Sequence, residues 1–243
     1  MTLNATLIRL EIEIADLHQC APFVDSETVT WVDIDGIHDA SIIESVGKEF
    51  GVHMLVLEDI MNSTGNTMKT VQLGQSDLQV TPICLGTMTW GEQNNLEQAC
   101  EQMDYALSRG VNFFDAAEMY PVPPKAETAG DTERCIGEWL SQSGKRSEIT
   151  LATKVAGRAD TRPDWKHIRG GPRLSRDHIR QAIEGSLERL QTDYVDIYYS
   201  HEDDLKVPTE DTLATYTKHI SEGKIRYIAA SQHSGARLQH ALD

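Results

Sequence analysis

From Met68 onward, short apolar runs alternate with stretches in which apolar residues recur every three or four positions. The first kind of spacing predicts strands and the second predicts helices with one buried face. "TVQLGQSDLQVTPI" predicts a hairpin turning at Gln75 to Asp77, and "ICLGT" a buried strand behind it. Leu96, Cys100, Met103 and Leu107 form a helical stripe closed by Gly110, and "VNFFDAA" is the next strand. "TERCIGEWL" is helical, "ITLATKV" a strand, and Ile179, Ile183, Leu187 and Leu190 a further helix. "YVDIYYS" follows as a strand, then a helix on Leu213, Tyr216 and Ile220 ending at Gly223. "IRYIAAS" is a fifth strand of this series, and "SGARLQHALD" opens a fifth helix.

Strands separated by helices of this length imply right-handed βαβ units and a parallel sheet. Periodicity alone leaves two α/β architectures open, an open doubly wound sheet and part of a barrel.

The pattern before Met68 is different. "TLIRLEIEI" and "TVTWVDID" alternate as two strands, while Ile42, Ile43, Val46 and Phe50 mark a helix between an N-cap at Asp39 and Gly51. "HMLVLEDIMN" is a second short helix, and the small polar stretch from Asn62 to Thr67 has no periodicity. The domain reading is therefore a small α/β segment over residues 1–62, a linker over 63–67 and a larger α/β region over 68–243, with Met68 resembling a former start.

Composition narrows the function classes. The 243 residues are 40% hydrophobic and 25% charged, which permits a buried core in one domain or two. A formal net charge of -16 repels nucleic acid and anionic lipid, so neither is an expected partner. The first residues lack a cationic stretch followed by a continuous apolar core, and no apolar run is long enough to span a bilayer, so a soluble cytoplasmic chain is the expectation. Cys20, Cys84, Cys100 and Cys135 are dispersed, as in a cytoplasmic chain with reduced thiols.

The candidate chemistry gathers at predicted strand ends, where α/β folds place their sites. Asp115 ends one strand with Tyr120 five residues on, Lys154 ends the next, and His201 the one after. An ammonium beside a phenol favours its ionised form, so Lys154 would make Tyr120 a better acid, with Asp115 holding the lysine. His201 would orient a carbonyl oxygen beside Tyr120. The four would then protonate that oxygen as a cofactor delivers hydride to its carbon.

Two neighbouring stretches have blander readings. "SHEDD", residues 200–204, could be taken for metal ligands, but no second His pair stands at ligand spacing, and a solvated acidic loop is the expectation. "KHIRGGPRLSRDHIR", residues 166–180, lacks phosphate-loop and dinucleotide fingerprints and reads as a flexible loop with Ser175 as N-cap. No metal site is assigned.

The segment from Met68 resembles an aldo-keto reductase. The resemblance is carried by "LGTMTWGEQN", "FFDAAEMYPVPP", "ETAGDTE", "LATKV", "LERLQTDYVDIYYSH" and "GKIRYIAAS", with the D-x-x-x-x-Y, T-K and Y-x-x-H pieces in the family's order. It implies a (β/α)8 TIM barrel and NADP(H) as cofactor. Asp115, Tyr120, Lys154 and His201 would be the catalytic four, with Tyr120 as general acid and a small-molecule aldehyde or ketone as substrate. It also implies a truncated, partial barrel with about five of the eight βα units. Ser231 and Gln232 are then the remaining cofactor candidates, where the family commonly has Ser-Asn. Exposed barrel edges would favour self-association.

Residues 1–62 resemble part of the cytoplasmic domain of CorA-type magnesium transporters, through "VTWVDIDGIHD" and "LVLEDI". That family's membrane helices have no counterpart here, so transport is not carried over, and Asp33, Asp35 and Asp39 read as hydrated. "HEDDLKVPTEDTL" resembles a different reductase branch from "AEMYPVPP", which raises a join near Tyr198. Two function classes result: an NADPH-dependent reductase, and a non-catalytic composite of family fragments joined in one frame.

Overall fold

A computed structural model describes residues 68–157 and 163–242. The chain divides into Met1–Met68 and Lys69–Asp243, and the architecture below belongs to the second unit. The strands, helices, linker and transporter resemblance read from residues 1–67 lie outside the described residues.

Two strands, β1 (Val71–Gln72) and β2 (Gln79–Val80), pair antiparallel as the expected hairpin. Gly74, with φ of 57°, makes the turn, a backbone region open to glycine at little steric cost. Five parallel strands follow in the order β3 (Cys84–Gly86), β4 (Phe113–Asp115), β5 (Thr150–Val155), β6 (Val195–Ser200) and β7 (Ile225–Ala230). Sequence order equals spatial order, as in a barrel wall. A doubly wound sheet would reverse direction at a switch point.

The helices between them are α1 (Leu96–Ser108), α2 (Asp131–Ser143), α3 (Arg176–Leu190) and α4 (Thr209–Ser221), with α5 (Gly235–Leu242) after β7. α1 starts with a reciprocal cap: Asn95 accepts from the Gln98 N–H at 2.9 Å while Gln98 accepts from the Asn95 N–H at 3.0 Å. Gly144 ends α2 in a left-handed conformation. Ser175 stands at the N-cap of α3 as expected, but its side chain makes no capping bond.

The sheet has two faces with different roles. Toward the helices, Phe114, Leu151, Ile179, Ile183 and Leu190 are fully buried. On the other face Ala152, Ile197 and the hairpin's Leu78 and Val80 pack into a second cluster with Phe113, Tyr199 and Tyr227. The hairpin thus closes one end of the wall, and Arg226 and Tyr227 of β7 bond its Asp77 at 2.9 Å and 3.0 Å.

Burial differs from the sequence expectation at the first parallel strand. β3 is an edge, with Cys84 and Gly86 exposed, because among the described residues it has one neighbour strand. β5 lies between two partners and is buried at every position.

Candidate active site

Three adjacent strands deliver the candidate residues to one end of the sheet. Asp115 closes β4, Lys154 is the penultimate residue of β5, and His201 directly follows β6. Backbone pairing continues past the strand ends: the Glu118 N–H donates to the Lys154 carbonyl at 3.2 Å, and the His201 N–H to the Val155 carbonyl at 3.2 Å. Tyr120 is brought back over these ends by a turn in which its N–H donates to the Ala117 carbonyl at 3.0 Å.

The four side chains meet. Lys154 Nζ donates to Asp115 Oδ2 at 2.6 Å and to the Ala116 carbonyl at 2.7 Å, and it also bonds the Tyr120 side chain. It lies 4.8 Å from the centre of the Tyr120 ring. The rings of Tyr120 and His201 are 5.7 Å apart, edge to face. The Lys154 side chain is 7% exposed and Asp115 31%, so the charge is held inside while one carboxylate edge reaches solvent.

Burial alone would push the Lys154 ammonium down, but Asp115 and Tyr120 outweigh it and hold the value above the ordinary lysine range. The lysine is therefore a fixed positive charge across neutral pH. Tyr199 lies on its other side, 5.9 Å from the ammonium; burial and then Asp115 push that phenol up, with Lys154 opposing. Cys84 reaches solvent at the edge strand, yet enough protein surrounds it that burial, then Asp115, push its thiol up to about 12, with Lys154 opposing.

Around the four stands a layer of buried charge. Glu118, 4% exposed, accepts from the Ala156 N–H and from both terminal nitrogens of Arg169, each at 2.6 Å. Trp165 is buried against Ala117, Met119 and Ala156, with Tyr120 and Val122 beside them, and its ring is 6.1 Å from that of His201. Behind β5, Glu133 accepts from Thr153 at 2.6 Å and from Arg189 Nε at 2.7 Å.

Ser231 and Gln232 follow β7 at the same end of the sheet, with the Ser231 N–H donating to the Ser200 carbonyl at 2.9 Å. Ser231 is half-buried, and Gln232 is exposed with a left-handed φ of 53°.

Both blander readings of the neighbouring stretches are corrected. The acidic run after β6 is not a solvated loop: Asp204 is 1% exposed and accepts from Arg173, the Leu174 N–H and the Lys206 N–H. Asp203 takes a forked pair from Arg237 at 2.9 and 3.0 Å. The basic segment before α3 supplies Arg173, and Arg237 comes from α5; Arg169 and Arg173 tie the segment to the buried Glu118 and Asp204, fixed contacts that a flexible loop would lack. Buried carboxylates need such partners. Among the described residues, no group of three or more His, Cys, Asp or Glu stands where it could hold a metal ion. Among the same residues, no helix is long and apolar enough to cross a membrane.

Residues 82–243 match the model of the aldo/keto reductase family. The chain belongs to that family. It is 41% identical to Protein tas of Escherichia coli K12 over 192 residues, covering 72% of this chain and 55% of that protein. An uncharacterised oxidoreductase of Bacillus subtilis 168, YrpG, is 37% identical over 175 residues, covering 72% and 52%. Among solved structures, the holo form of aldo-keto reductase AKR11C1 from Bacillus halodurans superposes with a TM-score of 0.60 at 33% identity, covering 72% of this chain and 54% of that one. The chain thus spans about half the length of these relatives, and its five parallel strands match part of a family barrel.

In this aldo/keto reductase chain, Glu118 is the residue of the candidate site that sequence reasoning passed over. Its signal was present in "DAAEMY", a single carboxylate among Ala116, Ala117 and Met119 at a strand end. A charge in an otherwise apolar run is either solvated or paired, and only the fold shows which.

Proposed function

We propose that this chain reduces an aldehyde or ketone carbonyl with NADPH, with Tyr120 as the proton donor. The observation that carries this reading is the Lys154–Asp115 pair at 2.6 Å, held beside Tyr120 with His201 on its far side. Lys154 stabilises the negative charge left on the phenol as its proton passes to the carbonyl oxygen. Asp115 keeps the lysine charged and in place, and His201 directs the substrate oxygen to Tyr120.

Ser231 and Gln232 fit the nicotinamide end of the cofactor, because a hydroxyl and a side-chain amide at the rim match the donors and acceptors of a carboxamide. Bound there, NADPH supplies the hydride. The preference for NADPH rests on family membership, and a cytoplasmic setting on the unpaired Cys84, Cys100 and Cys135.

Titration of the purified chain into NADPH, followed by oxidation of NADPH with a reactive aromatic aldehyde, tests the proposal. Fluorescence quenching and turnover are expected; absence of both sinks it for this chain. The exposed edges favour a second reading, a non-catalytic chain, which the same titration separates. We also propose that β3 and β7 pair with a second copy, since each has an unpaired side among the described residues. A monomeric mass by light scattering across the micromolar range would remove that idea.

A further inference from the structure

We infer that Glu118 and Arg169 form a positioning clamp that sets Trp165 beside Tyr120 and His201. This rests on the reading of those two residues as the reacting end of the site. The pair joins three pieces of chain. Glu118 lies two residues before Tyr120, the Ala156 N–H that it accepts from lies two residues after Lys154, and Arg169 lies four residues after Trp165. One carboxylate therefore holds the Tyr120 turn, the end of β5 and the segment after it in fixed relation.

The geometry is that of a strong, directional pair. Arg169 forks onto both Glu118 oxygens at 2.6 Å, and the Glu118 side chain is 2% exposed against 17% for Arg169. A surface pair could slip without consequence, but a buried fork has one register. Arg169 itself sits at φ of 50°, followed by Gly170 at 75° and Gly171 at 121°, a tight left-handed run that turns its guanidinium back toward Glu118. Trp165 is 3% exposed against Ala117, Met119 and Ala156, so the indole is held where the clamp sets the segment.

The clamp does not touch the reacting groups. Lys154 is held by Asp115 and the Ala116 carbonyl, and His201 by the backbone ladder, both independently of Arg169. Tyr120 keeps its own turn bond to the Ala117 carbonyl at 3.0 Å, so loosening the fork onto Arg169 shifts the segment that carries Trp165 while Lys154, His201 and Tyr120 keep these bonds.

The test uses the full chain with Glu118→Gln, Arg169→Met, Arg169→Lys and the double variant E118Q/R169M. Glu118→Gln keeps one oxygen to accept from the Ala156 N–H, removes the charge and replaces the other oxygen by an NH2 donor that cannot accept from Arg169, so the fork is broken. The first readout is acrylamide quenching of Trp165, isolated by subtracting the same variant carrying Trp165→Phe. Quenching is expected to rise about threefold or more in Glu118→Gln and Arg169→Met, with Arg169→Lys between them and the wild type, since lysine keeps the charge without the fork. The second readout is turnover: KM for an aromatic aldehyde rises about tenfold while kcat changes about twofold or less, the split expected when binding geometry alone is lost.

A wild type without turnover removes the reductase reading, and the quenching series then decides the clamp by itself. Where Glu118→Gln fails to fold, Arg169→Lys and the double variant, which leaves no buried charge unpaired, supply the comparison. Unchanged Trp165 quenching in any folded variant lacking the fork overturns the clamp.

Discussion

The middle of the sheet and its edges are built on different terms. At β5 and β6 the strands have two partners each, all their residues but the half-buried Tyr199 are buried, and most polar groups among them are paired: Lys154 with Asp115, Thr153 with Glu133, Ser200 with Tyr216 at 2.7 Å. At β7 burial alternates, Ile228 is 39% exposed, and beyond it Ser231 is half-buried and Gln232 exposed. Of the candidate proton-transfer residues, Lys154 and His201 belong to the first region and Asp115 and Tyr120 to the neighbouring β4 and the turn after it, while the candidate nicotinamide contacts belong to the second. A paired, water-poor setting fixes charges in place, which proton transfer needs. An edge can present donors to a ligand without fixing them.

The largest effect expected of that contrast is at Tyr120. Tyr120→Phe removes the proton donor and keeps the ring, so turnover with an aromatic aldehyde should fall by about 10²–10⁴-fold with NADPH binding unchanged. A variant that retains wild-type turnover in a steady-state assay would remove Tyr120 from the reaction.

Next come two ion pairs, one from each region. Glu133→Ala leaves Arg189 unpaired behind β5 and should cost about 3–5 kcal/mol in urea denaturation. Asp77→Ala removes a partner of Arg226 at the edge, where Asp77 is 69% exposed, and should cost about 1 kcal/mol or less. Equal losses would erase the distinction between centre and edge.

The pH dependence of Lys154 sharpens it further. Burial lowers its pKa and Asp115 with Tyr120 raises it by more, so the folded value exceeds the unfolded one. Stability from a raised lysine is fully present below the unfolded value of about 10.4 and is lost as pH rises through the folded value. The stability gap between wild type and Lys154→Met should be flat through neutral pH and close above about pH 10 in denaturation series. A gap that closes near neutrality would mean the lysine is not held by Asp115.

The smallest effect belongs to Gln232. Its left-handed backbone suits asparagine better, so Gln232→Asn should gain about 0.5–1 kcal/mol by thermal denaturation. NADPH affinity should rise several-fold in a fluorescence titration. Weaker binding would show that this position does not meet the carboxamide.

Much of the centre was legible from residue spacing. Ile179, Ile183 and Leu190 mark a helical stripe and are buried, and the strand rhythm from "VNFFDAA" to "IRYIAAS" matches β4 to β7. The edges were less so. Leu96 and Ile220 hold periodic apolar positions yet are 41% and 39% exposed, while Thr212, Thr215 and His219 are buried on α4. Periodicity finds a face, but what covers that face comes from elements distant in sequence. Thr212 is buried because its hydroxyl reaches the Leu174 carbonyl at 3.0 Å, a partner no local pattern names.

The sequence by itself determined the order of strands and helices, and the residue types and spacing that mark the candidate site. Those depend on local periodicity and on motifs within single segments. Only the tertiary structure decided which charges are buried and with whom: Glu118 with Arg169, Glu133 with Arg189, Asp204 with Arg173. Each pair joins segments at least 31 residues apart, and a carboxylate's environment is set by what packs on it in space.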